Sequence, residues 1–106
     1  MQQQDQYQQG DVILRRITKI PTTAVLKQHG GKIILAHGEV TGHHHAVEDA
    51  DAELIAEGER MLLRITKTTQ LTHQEHGPIS LSPGLYEIGR VQEFDYISQI
   101  TRPVQD

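Results

Sequence analysis

Short apolar runs broken by turn residues organise this chain, and no helical spacing of apolar positions holds for ten residues. Val12, Ile13, Leu14 and Ile17 mark a first strand, and Pro21, Thr22 and Thr23 mark the loop after it. Residues 24–28 and 32–36 are apolar runs joined by His29, Gly30 and Gly31. That pattern predicts a hairpin, because glycine supplies the positive φ of a tight connection. A further strand is expected over residues 39–47, with a bend at Gly42. Residues 52–57 have helix-forming composition, but Gly58 interrupts them and Met61, Leu62, Leu63 and Ile65 follow at once. A hairpin turning at Gly58 is favoured over a helix there. Strands are also expected at 69–73, at 79–81 and from 85 to about 95, with a turn at Ser82, Pro83 and Gly84. For residues 96–106 the pattern is mixed, since Ile97 and Ile100 can pack whereas Pro103 opposes regular structure. The expectation is an all-β fold: a small single-domain antiparallel β-barrel or sandwich with little or no helix.

Residues 1–9 carry six glutamines and no apolar period, so they are expected to form a disordered Gln-rich tail ahead of a single domain at 10–106. With 36% hydrophobic and 4% aromatic residues, the core must be aliphatic and thin, which makes a homo-oligomer a reasonable expectation. A net charge of −4 without a Lys/Arg stripe disfavours nucleic acid. No run approaches the roughly 18 apolar residues of a membrane span. No signal-like segment opens the sequence, so a cytoplasmic location is expected. With no cysteine, any metal would be held by nitrogen and oxygen.

Chemistry concentrates in the histidines. Seven occur in 106 residues, and five of them lie in two groups: His43, His44 and His45 after Gly42, and His73 and His76 around Gln74 and Glu75, closed by Gly77 and Pro78. On a strand His43 and His45 share a face, so both imidazoles can reach one ion, while His44 points to the other face. His73 and His76 are three apart and serve one site only if the chain leaves the strand near Gln74, a departure that Gly77 and Pro78 favour. The candidate ligands are therefore His43, His45, His76 and His73, with Glu75 and Glu48 as substitute oxygen donors. Zinc, iron, nickel and copper all suit imidazole. The competing readings are solvated polar loops and a cluster that acts by protonation alone. His29 and His37 read as solvated turn positions, and Asp49 and Asp51 as a solvated acidic turn. Tyr86, Arg90 and Glu93 read as a half-buried strand. There is no nucleophilic cysteine, Gly-x-Ser-x-Gly elbow or phosphate loop.

The stretch from Gly38, Glu39, Val40, Thr41 and Gly42 to His43 and His45, then Glu48 and later Pro83 and Gly84, resembles the two motifs of the cupins. These are small β-barrels with a His-x-His pair and a glutamate in the first motif and a histidine after a Pro/Gly turn in the second. Here no histidine follows Pro83 and Gly84, and the second pair precedes that turn. The wider pattern adds Gln9, Gly10, Asp11 and Val12, then His73, Glu75, His76, Pro78 and Ile79, and last Leu85 and Tyr86. It is similar to a group of small uncharacterised bacterial proteins and implies no particular activity. Two functions stay open. One is a β-domain that binds a divalent transition metal through its histidines, with a small-molecule ligand if a coordination position is vacant. The other is a non-enzymatic interaction module with pH-responsive histidines. Whether the protein is an enzyme stays open with them.

Overall fold

Tyr7 and Gln9 are buried while Gln6 and Gln8 are exposed, and this alternation belongs to a strand, β1 (Gln6–Gln9). The computed structural model describes residues 5–37 and 42–91. The expectation of a loose tail reaching Gln9 is corrected for its last residues. Four backbone pairs, from Gln6↔Arg15 to Gln9↔Val12, dock β1 onto β2 (Val12–Ile17). The remaining strands are β3 (Val25–His29), β4 (Lys32–His37), β5 (His44–Glu48), β6 (Glu53–Glu57), β7 (Arg60–Ile65), β8 (Thr69–Thr72), β9 (Ile79–Leu81) and β10 (Gly84–Arg90). Residues 1–4 of the expected tail, the start of the strand expected at 39–47 and the stretch expected to pack at 96–106 lie outside the described residues, as does the end of the last expected strand.

The strands form two antiparallel sheets, one ordered β1-β2-β10-β7-β6-β3 and the other β4-β5-β8-β9. They face each other without closing, so of the two expected all-β architectures the sandwich is the one formed. One cluster draws on both inner faces. Tyr7, Leu14, Leu63, Ile65 and Tyr86 come from the larger sheet, and Ile33, Val47, Leu71 and Leu81 from the smaller. Fully burying each Leu or Ile contributes about 1.5–3 kcal/mol, so an aliphatic core of this size is adequate although it lacks tryptophan. Tyr7 and Tyr86 meet edge to face at 5.7 Å. Their hydroxyls converge on Ser82, and Arg16 donates to Tyr86 Oη, Ser82 Oγ and the Pro83 carbonyl. This network is satisfied at every tyrosine hydroxyl and locks β1, β2 and β10 to the turn at 82–84.

The hairpin predicted at Gly58 is present, with β6 and β7 in register from Glu53↔Arg64 to Glu57↔Arg60. The hairpin predicted around Gly30 is not. The turn is there, but β3 pairs with β6 and β4 with β5, so the chain changes sheet at this corner. Gly30 packs against the Ala50 backbone, where a Cβ would lie 2.4 Å from the Ala50 carbonyl oxygen, and its N–H donates to the Ala52 carbonyl at 2.7 Å. The corner is thus held by the β5–β6 connection rather than by a ladder between its own arms. No helix among the described residues is long and apolar enough to cross a membrane.

Candidate metal centre

Three backbone features bring the site together at one end of the sandwich. The first is the β1–β2 turn. Gly10 has φ +58 and Asp11 does not have a positive φ, the sign pattern of a type II′ hairpin with glycine in first place. This turn delivers Gln9, Gly10 and Asp11. The second is the β5–β8 register, Ala46↔Thr72 and Val47↔Leu71, whose next position sets His45 across from His73. The third is the departure of the chain from β8 after Thr72, which lets His73 and His76 turn to the same side.

The four singled-out imidazoles lie together. Ring centroids are 4.4 Å apart for His45 and His73, 4.7 Å for His73 and His76, 5.6 Å for His43 and His73, and 6.1 Å for His45 and His76. His44 points away, against His37 at 6.4 Å and Gln74. Glu48 lies at the far end of β5, opposite Lys32. Glu75 is nearer, with Oε1 3.2 Å from His43 Nδ1. That contact is an electrostatic one, because His43 Nδ1 is buried without a hydrogen-bond partner.

The hydrogen bonds fix which nitrogens are available. His45 is 1% exposed. Its Nδ1 lies 2.9 Å from Gln9 Oε1, while Gln9 Nε2 donates to the carbonyls of Leu71 at 3.0 Å and Gly77 at 2.9 Å. With both amide hydrogens committed, the Gln9 oxygen must accept, so His45 carries its proton on Nδ1 and keeps the Nε2 lone pair. That lone pair lies 3.8 Å from Asp11 Oδ1. His73 is the reverse case. Its Nδ1 accepts the backbone N–H groups of Glu75 at 3.0 Å and His76 at 3.4 Å, so it folds the 73–76 turn and presents Nε2–H. His76 has its Nε2 against Gly10, where a Cβ would come within 2.7 Å of that nitrogen and 3.3 Å of His45 Cε1. Only a residue without a side chain lets the two rings approach there.

Burial, then the neighbouring His73, hold His45 down at about 4, and the Asp11 carboxylate opposes them only in part. His73 is also held below its ordinary value, by desolvation first and then by His76 and His43. Both effects favour neutral imidazoles, the form that ligates a metal. Asp11 is held in turn by Arg90, which donates to its carboxylate and to the His37 carbonyl and lines an open recess of about 170 Å³ with Leu35, Met61 and Ile88. Among the described residues, no group of three or more His, Asp or Glu side chains is placed to hold a metal ion. Any shared ion would require the rings to turn.

Gln9 and Asp11 are the site residues the sequence reasoning passed over. Both flank the Gly10 turn signal, but nothing local to them announces partners more than thirty residues away. Comparison with curated proteins and with solved structures gives no match. One family model does match, over residues 8–91, and that span runs from β1 through β10 with the whole histidine cluster inside it. The chain belongs to that family, described as a domain of unknown function, DUF8820.

Proposed function

We propose that this protein binds a divalent transition metal through His45 Nε2, His76 Nε2 and Asp11 Oδ1, with His43 at the fourth position. One observation carries the proposal: a buried histidine whose Nδ1–H is fixed by an amide oxygen and whose Nε2 lone pair faces a carboxylate at 3.8 Å. Two donors about 2.0–2.2 Å from a tetrahedral ion stand about 3.4 Å apart, so this pair needs to close by only a few tenths of an ångström. His43 Nδ1, buried without a hydrogen bond although the Glu75 carboxylate lies 3.2 Å away, supports the same reading, because an ion or the water bound to one would supply the missing partner. His73 takes the role of turn-former rather than ligand. The all-nitrogen-and-oxygen donor set accommodates zinc, nickel, copper or iron. The net charge of −4 favours work away from nucleic acid.

Elemental analysis and calorimetric titration with Zn²⁺, Ni²⁺ and Cu²⁺, on protein purified without an affinity tag, test the proposal. One ion per chain, lost on His45→Ala, is the expected result. Less than about 0.2 ion per chain, unaffected by replacing His43 and His45, contradicts it. The second reading is a proton-responsive cluster without metal, favoured by the lowered values of His45 and His73. It predicts that occupancy stays near zero while the acid response of the fold persists.

A further inference from the structure

β1 lies at one edge of the larger sheet, yet the Gln9 side chain crosses to the smaller sheet, where it is 2% exposed. Its three hydrogen bonds reach three separate places: the end of β8 at Leu71, the far side of the histidine turn at Gly77, and His45 on β5. Its amide cannot flip. Reversal would set Oε1 against two carbonyl oxygens and deprive His45 Nδ1 of its acceptor, leaving buried polar atoms unsatisfied. Simple core filling would not require a glutamine, because an apolar side chain of similar volume occupies the same space without the desolvation cost.

We infer that Gln9 is the positioning residue of the histidine site: it fixes His45 as the Nδ1–H tautomer, so that Nε2 alone faces Asp11, and it ties the 73–77 turn to that ring. The inference about the tautomer stands on hydrogen-bond geometry. Its consequence for metal affinity rests on the function proposed above. Metal-ligating histidines ordinarily donate their second ring N–H to an oxygen in this way, and loss of such a partner lowers affinity by about 10–100-fold.

Two substitutions separate positioning from structural glue. Gln9→Glu keeps an oxygen acceptor for His45 but loses both donors to Leu71 and Gly77, whereas Gln9→Leu loses all three bonds. In both, stability falls. Long-range ¹H–¹⁵N correlation spectra of the metal-free protein report the His45 tautomer, and calorimetry with Zn²⁺ reports affinity. The expected result is Nδ1–H in the wild type and in Gln9→Glu, with Nε2–H gaining population in Gln9→Leu. Zinc affinity should fall about 10–100-fold in Gln9→Leu and far less in Gln9→Glu. Equal losses of affinity in the two variants, or an unchanged tautomer in Gln9→Leu, overturn the inference. An Nε2–H tautomer in the wild type overturns it without any variant. If the wild type takes up no zinc, the metal reading fails, and the tautomer spectra still decide the role of Gln9.

Discussion

Acid should destabilise this protein over a window in which His45 is the main proton-linked group. His45 is held at about 4 in the fold against an ordinary value of 6.5, with burial as the largest cause. The unfolded chain therefore takes up a proton on this ring as pH falls through about 6.5, while the folded chain declines it until about 4. Between those values the unfolded state binds more protons, so stability rises with pH. It is complete above about 6.5, lost progressively on acidification, and lost in full near pH 4. The gap corresponds to about 3 kcal/mol. For a domain whose total stability falls in the ordinary range of about 5–15 kcal/mol, that is a large fraction. Urea unfolding from pH 8 to pH 4, with chelator present and ionic strength fixed, measures it. The control is His45→Asn, whose amide N–H can replace Nδ1–H toward Gln9 but does not titrate. Wild type should lose about 3 kcal/mol across the window and the variant much less. If both lose the same amount over pH 6.5 to 4, His45 is not the group that couples folding to protons and the argument from its burial is wrong.

Three further outcomes follow from packing and from the site. Leu63→Ala, at a fully buried centre of the core shared by both sheets, should cost about 2–5 kcal/mol, read as a lower urea midpoint with an unchanged slope. Tyr86→Phe removes the hydroxyl that donates to the Ser82 carbonyl and accepts from Arg16, and should cost about 1–3 kcal/mol by thermal melting; a neutral result would mean that network is dispensable. Gly10→Ala puts a Cβ 2.7 Å from His76 Nε2 at φ +58, so it should destabilise by about 1 kcal/mol and shift the His76 ring resonances, whereas unmoved resonances would show that the ring does not pack there.

Local pattern announces β2, β6, β7 and β9, because each carries its apolar residues as a short run or alternation between turn signals. It announces the Gly58 turn for the same reason. It fails at β1, whose two buried residues are a tyrosine and a glutamine in a run of glutamines. What buries them is Tyr86 and Ser82 for one and the Leu71 and Gly77 carbonyls for the other, all more than sixty residues away. The β3–β4 corner misleads by the same logic, since a two-glycine turn looks alike whether its arms pair together or part to different sheets. In the site, the histidines are legible as pairs, and the i, i+2 spacing of His43 and His45 predicts a shared side. Asp11 is not legible, because its approach to His45 depends on the sandwich bringing the β1–β2 turn over the end of β5. Nor does the sequence distinguish His73 from His76. Only the amide hydrogens of the 73–76 turn show that the His73 lone pair is already engaged.

The most direct test of the metal proposal is an anomalous difference map from crystals grown with zinc and measured across its absorption edge. A peak about 2.0–2.2 Å from both His45 Nε2 and His76 Nε2, with Asp11 in the shell, is the predicted result. A map without density at His45, or with the ion held elsewhere while His45 Nε2 stays unliganded, contradicts it.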